Sequence, residues 1–349
     1  ITHNGFTYSF TYDQFNNVAS TSVGNQVLSS NTYLPHNGPL STSTYGNGDT
    51  VGYTYDNQYR TTGKSYNGQT AFTYVYDAYG NLARTTDLVN NITYTYQYDM
   101  VGRVTGMDST QGQTIRIAYD DKNRTDYVVS KVDGSGTKTQ YVYGNTGSGQ
   151  KAGLIYGVKI DDQNILSYTY DDLARTSTRT LDLGTDFTTS YEYLDGNSLG
   201  STTTLVSKMT NGNVSWMYTY DSRGNIETIS RQEGNGEPVQ QVKYYYDELN
   251  QLVREDSVAQ NKTITYSYDA GGNILYRRTY AYTNGELGSA SSFLTYQYGD
   301  SNWKDKLTNF NGSTITYDEI GNPLSYRGNT LTWQNGRQLA SLNRNGLSV

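Results

Sequence analysis

The chain has 349 residues, a formal net charge of −7 at pH 7, 34% hydrophobic residues and no cysteine. The acidic balance disfavours nucleic acids and anionic membranes as partners, and the lack of cysteine excludes disulfide and thiolate chemistry. No apolar run approaches the roughly 20 residues of a membrane span, so we expect no membrane-spanning segment.

One phrase recurs from end to end: alternating tyrosines, the pair Tyr-Asp, two variable residues, Gly or Asn, then Asn or Arg and an apolar residue. The best-preserved neighbouring copies, from Tyr55 to Tyr119 and from Tyr246 to Tyr268, lie 21 or 22 residues apart, a period typical of solenoids and other repeat arrays. The ten Tyr-Asp pairs begin at Tyr12, Tyr55, Tyr76, Tyr98, Tyr119, Tyr170, Tyr220, Tyr246, Tyr268 and Tyr317.

Each copy begins with a predicted β-strand. In the copy at residues 73–86, Tyr74 and Tyr76 are two apart and share one face, while Val75 takes the other. This period of two indicates a strand rather than a helix. Since a turn signal and a returning strand follow, we predict one β-hairpin per repeat. The 37 tyrosines must then supply much of the buried surface.

The turn follows the Asp, whose carboxylate can accept hydrogen bonds from backbone N–H groups later in the same turn. Three residues later, eight copies have Gly or Asn, which adopt a positive φ at least cost. Tyr59 and Ala174 are the exceptions, and we expect strain or an altered turn there. The residues predicted to define the repeat are Tyr76, Asp77, Gly80, Tyr98, Asp99, Gly102, Tyr220, Asp221, Gly224, Tyr268, Asp269, Gly272, Tyr317, Asp318 and Gly321.

Degenerate copies at Tyr33, Tyr143, Tyr193, Tyr298 and Trp333 fill the intervals between complete ones. Insertions rich in Gly, Ser and Asn, such as residues 283–289, are expected in loops on one rim. No linker or composition break is visible, so we predict one repeat domain over residues 1–349. A β-propeller, with two units per four-stranded blade, is the architectural alternative.

The Tyr-Asp-x-x-Gly-Asn-Leu units, with Tyr-Gly-Asn-Gly-Asp at residues 45–49, resemble the YD or Rhs repeats. These repeats occur in bacterial Rhs and wall-associated polymorphic toxins, in the B and C components of insecticidal toxin complexes, and in teneurins. The resemblance covers essentially the whole chain. It implies an all-β array of antiparallel hairpins that spirals into a hollow shell, often around a C-terminal toxin, and an extracellular or cell-surface location.

The chain departs from that family where the repeats would give way to the Rhs core. None of its four prolines follows Asp, so the Asp-Pro self-cleavage segment is missing, and no toxin domain follows. The chain also starts at Ile1 without an initiator Met and stops in mid-pattern. We therefore expect a shell segment of a larger protein, whose partners by resemblance are the core and effector of its own parent chain.

Catalysis is disfavoured because His3 and His36 are the only histidines and no cysteine exists. We predict no catalytic site, no cofactor and no metal site. The adjacent acids at residues 120–121, 161–162 and 171–172 would point to opposite faces of a strand, whereas a glycosidase needs facing carboxyls. They are interpreted as turn caps. Calcium at residues 133–136 is left open, although a full acidic loop is lacking.

The Gly-rich stretch at residues 144–151 lacks the terminal Gly-Lys-Ser/Thr of a phosphate loop, so we predict a flexible hairpin loop there. The leading hypothesis is a non-catalytic YD-repeat shell segment of a bacterial secreted or surface-displayed Rhs-type protein, which encloses or presents a C-terminal effector. The alternative is a glycan- or cell-surface-binding adhesin. In that case tyrosines on the rim, such as Tyr59 and Tyr79, would stack on sugars.

Overall fold

The computed structural model describes residues 1–132, 134–344 and 346–348. In these ranges all regular secondary structure is β-strand, apart from one turn of 3-10 helix at Thr146–Ser148. The predicted all-β fold of antiparallel hairpins is therefore confirmed. In the same ranges, no helix has the length and apolar character needed to cross a membrane.

Strands are numbered in chain order. They are β1 (Thr2–His3), β2 (Phe6–Tyr12), β3 (Val18–Val23), β4 (Gln26–Tyr33), β5 (Leu40–Tyr45), β6 (Thr50–Tyr55), β7 (Thr61–Tyr66), β8 (Gln69–Tyr76), β9 (Leu82–Asp87), β10 (Ile92–Tyr98), β11 (Val104–Ser109), β12 (Thr114–Tyr119), β13 (Thr125–Val132), β14 (Ser135–Tyr143), β15 (Ile155–Ile160), β16 (Gln163–Tyr170), β17 (Thr176–Asp182), β18 (Asp186–Asp195), β19 (Thr202–Asn211), β20 (Val214–Tyr220), β21 (Ile226–Glu233), β22 (Val239–Tyr246), β23 (Leu252–Ser257), β24 (Lys262–Tyr268), β25 (Ile274–Ala281), β26 (Ser292–Gln297), β27 (Asn309–Phe310), β28 (Ser313–Thr314), β29 (Ser325–Tyr326), β30 (Asn329–Gln334), β31 (Gln338–Arg344) and β32 (Leu347–Ser348).

Two compact units divide the chain. Unit 1 contains Ile1–Tyr94, Thr265–Arg278 and Ser291–Val349, and unit 2 contains Thr95–Ile264 and Thr279–Ala290. Unit 1 is therefore built from the first and the last repeats of the chain. That the whole chain behaves as a single domain stays a prediction.

Consecutive strands pair in antiparallel fashion within each unit. In unit 2 every strand from β11 to β23 pairs with the next one. In unit 1 the same holds from β1 to β9, and for β26 to β28 and β29 to β32. Such runs are longer than the four strands of a propeller blade, so the propeller alternative is wrong.

A β-bulge recurs beside the Tyr-Asp tyrosine. In the β8–β9 hairpin, Val75 pairs with Arg84 but Tyr76 pairs with Leu82, which leaves Ala83 as an extra residue. A bulge bends its strand and increases the local twist. The repeat therefore carries its own bend. The same shift occurs at the Tyr-Asp tyrosines Tyr12, Tyr55, Tyr119, Tyr170, Tyr220 and Tyr246, and at Tyr33 and Tyr143 of two degenerate copies.

Few side chains are fully buried. On β8 the face that carries Tyr74 and Tyr76 is half-buried, while Val75 on the opposite face is 41% exposed. Unit 1 has a small apolar cluster of Phe6, Val23 and Leu28, against which Tyr8 and Trp303 pack. Strand pairing within hairpins and partly buried tyrosine rings thus provide much of the stabilisation that a deep hydrophobic core provides in ordinary globular domains.

The repeat turn as candidate functional site

The turn after Tyr76 shows how the Tyr-Asp pair is used. Asp77 Oδ1 accepts the backbone N–H groups of Tyr79 at 2.9 Å and Asn81 at 2.8 Å. Asp77 Oδ2 accepts the side-chain amide of Asn81 at 3.0 Å. The turn is closed by backbone bonds from Asp77 N–H to the Asn81 carbonyl and from Gly80 N–H to the Asp77 carbonyl. A single carboxylate therefore organises the whole five-residue turn.

All ten Tyr-Asp turns lie in the described ranges and share this arrangement. The N–H groups two and four residues after the Asp donate to its Oδ1 at 2.8–3.1 Å. The acceptors are Asp13, Asp56, Asp77, Asp99, Asp120, Asp171, Asp221, Asp247, Asp269 and Asp318. The carboxylates at the first and third adjacent acid pairs, Asp120 and Asp171, thus lie in turns.

The Asn or Arg that follows the Gly position binds the turn carboxylate, a role that the sequence pattern alone does not reveal. In nine copies its side chain donates to the second carboxylate oxygen, Oδ2, of the Asp. The signal was present in the repeated phrase, which has Asn or Arg at this place in most copies. The donors are Asn17, Arg60, Asn81, Arg103, Arg124, Arg175, Asn225, Asn273 and Asn322.

The third residue after the Asp has a positive φ in every copy, from 60° at Tyr59 to 90° at Gly80. Tyr59 and Ala174 keep the standard turn, because each N–H still donates to its Asp carbonyl at 3.0 Å. An altered turn is therefore wrong for these two copies. Each instead holds a side chain in the left-handed region, at a cost of roughly 1–2 kcal/mol.

The predicted tyrosines mostly end strands. Tyr76, Tyr98, Tyr220 and Tyr268 are the last residues of β8, β10, β20 and β24. Tyr317 instead lies outside the strands named above and makes an isolated β-bridge to Pro323. The glycines at the predicted positions supply the positive φ: Gly80, Gly102, Gly224, Gly272 and Gly321.

The turn hydrogen bonds favour ionised carboxylates. The side-chain amide of Asn17 lowers the pKa of Asp13, and that of Asn225 does the same for the pKa of Asp221. At Asp99 the backbone N–H of Arg103 is the main cause of the lowered pKa. Hydrogen bonds to the charged form stabilise that form. The repeat is consequently built around a negative charge in each of these turns.

The tyrosine hydroxyl joins one hairpin strand to the start of its neighbour. Tyr76 donates at 2.9 Å to the carbonyl of Thr61, which is the first residue of β7 and follows directly on the turn at Asp56. Eight tyrosines make this bond, at 2.6–3.0 Å: Tyr33, Tyr55, Tyr76, Tyr119, Tyr143, Tyr170, Tyr193 and Tyr246. Three of these tyrosines belong to degenerate copies, so the hydroxyl bond is also present in copies that lack the Asp.

In four copies an arginine adds a second link. Arg60 donates through Nε to Asp56 Oδ2 at 2.7 Å, and its guanidinium carbon lies 4.5 Å from the ring centre of Tyr76 in the next hairpin. A cation over an aromatic face is attracted by the ring quadrupole. The arginine thereby links the turn of one copy to the tyrosine of the next. The other three pairs are Arg103 with Tyr119, Arg124 with Tyr143 and Arg175 with Tyr193.

The tyrosine rings are partly buried rather than sealed in a core. Burial raises the pKa of Tyr55, Tyr170 and Tyr246, and it raises that of Tyr298 to about 12. Some rings contact each other, as Tyr156 and Tyr170 do edge to face at 5.1 Å. On the rim, by contrast, Tyr79 is 92% exposed and Tyr59 56%.

The remaining candidates lie outside this pattern. Asp161 and Asp162 form the β15–β16 turn with positive φ; the backbone N–H of Lys138 donates to the Asp161 carboxylate, and the Lys138 ammonium group donates to that of Asp162. His36 also has a positive φ, in the turn between β4 and β5. In the Gly-rich stretch at 144–151, Asn145 caps the 3-10 turn Thr146–Ser148.

Asp133, in the stretch considered for calcium, lies outside the described residues. Within the described ranges, no group of three or more His, Cys, Asp or Glu is arranged to hold a metal ion.

Unit 1 also brings together turns from opposite ends of the chain. The side-chain amide of Asn4 donates to Asp269 Oδ2 at 3.0 Å, and that of Asn47 donates to Asp318 Oδ2 at 3.2 Å. We call these contacts the unit 1 seam. Trp303 reinforces it by donating from Nε1 to the Tyr8 hydroxyl at 2.8 Å. Nothing in the local pattern around these residues predicts the seam.

No protein-family model and no curated protein sequence matches the chain. Solved structures of TcdB2-TccC3 chains do. The TcdB2-TccC3-TEV structure aligns over 97% of this chain and 19% of its own length, with a TM-score of 0.74 and 15% identity. The TcdB2-TccC3 structure aligns over 96% and 19%, also with a TM-score of 0.74 and 15% identity.

A TcdB2-TccC3 structure without its hypervariable C-terminal region aligns over 97% of this chain and 21% of its own length, with a TM-score of 0.67 and 11% identity. The present chain thus spans about a fifth of the length of the chains it matches. At such identities the likeness shows the fold alone. The chain accordingly has the fold of a stretch of these TcdB2-TccC3 chains, and its resemblance to the YD repeats is confirmed at the level of fold.

Proposed function

We propose that this chain is a non-catalytic wall segment of a hollow β-shell, within a larger bacterial Rhs-type protein that is secreted or displayed at the cell surface. The observation that carries this proposal is the fold likeness over 96–97% of the chain to chains about five times as long. Residues 1–349 act as one repeat segment of that wall. The core and effector of the parent chain are its partners.

The hydrogen bonds of the repeat are of a kind that can stabilise a thin protein wall. Each copy closes its own turn through the Asp carboxylate, and the tyrosine hydroxyl binds the neighbouring strand. Stability therefore accumulates from one hairpin to the next, as in other repeat arrays, without a thick core. An array of this kind can enclose a volume with a thin layer of protein, and we propose that the enclosed content is a C-terminal effector.

Protease protection tests enclosure. The parent protein should be expressed with its C-terminal region and digested alongside the isolated C-terminal region. We expect the region to be cleaved far more slowly inside the parent than alone, since a wall excludes the protease. Joint replacement of Asp77→Ala and Asp99→Ala should open the wall and raise the cleavage rate. Equal rates in parent and isolated region would contradict the proposal.

The wall itself is proposed to be non-catalytic. His3, one of the two histidines, lies 3.3 Å from the Asp305 carboxylate on an exposed strand rather than in a deep pocket. We expect no turnover of peptide, ester, nucleotide or glycoside substrates by the purified chain. Turnover that disappears on replacing a single acidic residue would contradict this.

Glycan binding is the second candidate, favoured by the open ring faces of Tyr79 and Tyr59 at the turn tips. Sugars stack on exposed aromatic rings. A glycan array probed with the wild-type chain and with Tyr79→Ser separates the two functions. For a wall segment we expect no specific retention, whereas an adhesin would lose a wild-type signal on replacement while its melting temperature stayed unchanged.

A further inference from the structure

The second residue after the turn Asp lies at the tip of the hairpin and is often apolar. Five such side chains are exposed: Phe15 by 44%, Tyr79 by 92%, Val101 by 74%, Leu173 by 62% and Leu249 by 70%. Turn tips ordinarily carry Gly, Pro, Asn, Asp or Ser. Because exposed apolar side chains recur at one position of the repeat, that position is a candidate for contacts with a partner.

A sixth tip shows what such a residue can bind. Ile320 occupies the same position in the turn at Asp318, and it is fully buried in unit 1. It packs on the hairpin turn at residues 45–49, where a Cβ on Gly46 would lie 3.1 Å from Ile320 Cγ2. The same hypothetical Cβ would collide with the backbone carbonyl of Val27. Glycine thus permits the close approach that buries the apolar tip.

Polar contacts specify the same docking. Asp318 Oδ2 accepts Asn322 of its own turn at 2.7 Å and also Asn47 of the incoming turn at 3.2 Å. In addition, Gln26 donates its side-chain amide to the Glu319 carbonyl. A Tyr-Asp turn can therefore bind a second hairpin while its own internal hydrogen bonds stay in place.

The unit 1 seam repeats the polar part of this contact once more. At the turn of Asp269, the incoming side chain is Asn4, which donates to Oδ2 at 3.0 Å and lies against Gly271 at the tip. Both incoming turns contain Asn followed by Gly, at residues 4–5 and 47–48. In both contacts the incoming element is a hairpin turn that contains Asn-Gly.

We propose that the exposed tips at Tyr79 and Val101 dock onto Asn-Gly hairpin turns from a further row of repeats in the parent chain. The carboxylates of Asp77 and Asp99 would each accept the incoming Asn at Oδ2, beside their own Asn81 or Arg103 donor. Unit 1 already contains the contact between an incoming Asn and a turn carboxylate twice, and at Ile320 it also contains a buried apolar tip. It also fits the matched chains, of which this chain spans about a fifth. The proposal rests on the proposed wall function.

Site-specific photo-cross-linking in the intact parent protein tests the docking. Tyr79 is replaced by p-benzoylphenylalanine, and the cross-linked peptide is identified by mass spectrometry. We expect attachment to an Asn-Gly turn of the same polypeptide outside residues 1–349. As a positive control, the same probe at Gln26 should attach near Glu319. As a matched exposed control, the probe at Val75, in mid-strand, should not attach to an Asn-Gly turn.

Attachment from position 79 to a second copy of the chain, to an unrelated protein, or to nothing while the Gln26 control works, would overturn the docking proposal. The protease-protection assay is run on the same probe-bearing protein. Intact protection with no cross-link rejects the docking alone, whereas loss of protection in the wild-type parent rejects the wall.

A second measurement does not depend on the probe. Tyr79→Ser should leave the melting temperature of residues 1–349 unchanged but lower that of the parent protein. Lys122→Ser, at the equivalent polar tip, serves as the control and should change neither. Unchanged melting of the Tyr79→Ser parent would count against the docking.

Discussion

At the scale of single residues, the repeat depends on a carboxylate and a backbone angle. The Asp satisfies N–H groups that a tight turn would otherwise leave to solvent, and the residue three positions later takes a positive φ in all ten copies. Glycine adopts that φ without the Cβ strain of other residues. Local chemistry alone therefore accounts for the conformation of the turn.

Substitutions at Gly224 would measure the free-energy cost of a positive φ by itself. Its φ is 86°, and an added Cβ would meet nothing within 4 Å. We expect Gly224→Val to lower the free energy of unfolding by about 1–2 kcal/mol and Gly224→Asn by less, since β-branched residues tolerate positive φ worst. Chemical denaturation measures both changes.

Ala174→Gly is the matched test in the opposite direction. Ala174 already sits at a φ of 67°. Relief of that strain should raise the free energy of unfolding by up to about 1 kcal/mol, after the entropy cost of glycine is subtracted. Equal effects of Val and Asn at Gly224, or destabilisation by Ala174→Gly, would show that φ is not what selects these residues.

At the scale of the hairpin, the tyrosine is what couples one copy to the next. Its hydroxyl binds the carbonyl at the start of the neighbouring strand, and in four copies an arginine from the preceding turn covers its ring. Hydrogen bonds and cation–π contacts are each modest in energy. Their recurrence along the array, eight times for the hydroxyl bond and four times for the arginine contact, lets a thin array hold together.

Tyr76 and Arg60 allow these links to be measured separately. Tyr76→Phe removes the hydroxyl bond to Thr61 and should lower the free energy of unfolding by about 1 kcal/mol. Tyr76→Ala should cost more, roughly 2–3 kcal/mol, because the half-buried ring is lost too. Tyr79→Phe, at a ring that is 92% exposed, is the control and should change nothing.

A double-mutant cycle of Arg60→Ala and Tyr76→Ala isolates the pair. We expect a coupling energy of about 0.5–1 kcal/mol. Additive single effects would mean that the ring contact contributes nothing beyond its packing.

At the scale of the whole molecule, charge on the turns makes stability depend on pH at the acid end. Several turn carboxylates, including Asp13 and Asp221, have a folded-state pKa below the usual value. Their contribution is therefore fully present above the unfolded pKa, about 3.9, and is lost as pH falls through the lowered folded pKa values. We expect the melting temperature, followed by circular dichroism, to fall below about pH 4.

Tyrosines limit the stability of the protein at the alkaline end of the pH range. Burial raises the folded pKa of several phenols, to about 12 for Tyr298. The unfolded chain releases these protons from about pH 10, so stability should be constant below that pH and should fall as pH rises towards 12. A melting temperature that stays flat from pH 9 to pH 12 would show that the rings are solvated.

The unit 1 seam ties the first repeats to the last. Asn47→Ala should remove the contact to Asp318, and Asn4→Ala the contact to Asp269. We expect each to increase hydrogen exchange in the partner turn, more than 260 residues away in sequence, without affecting the turn at Asp171. Asn81→Ala, which acts only within its own turn, is the control and should have local effects. Purely local effects of all three variants would contradict the seam.

Much of this protein is determined by its sequence alone. Strands, hairpins, the Asp turn and the position that needs a positive φ follow from interactions between residues no more than a few positions apart, and the period shows that they repeat. The Asn or Arg that binds Asp Oδ2 was also visible as a pattern, although its role was not. These features are predictable because the atoms concerned are neighbours in the chain.

Contacts between distant copies were decided only by the tertiary structure. Tyr79 and Ile320 occupy the same position of the same turn, yet one is 92% exposed and the other is fully buried. The difference arises because another hairpin lies over the turn at Asp318. The hairpin turns that meet in the unit 1 seam are more than 260 positions apart in the sequence, and no local pattern encodes which of them meet. The sequence therefore determines the repeating unit, while the path of the array determines what each unit contacts.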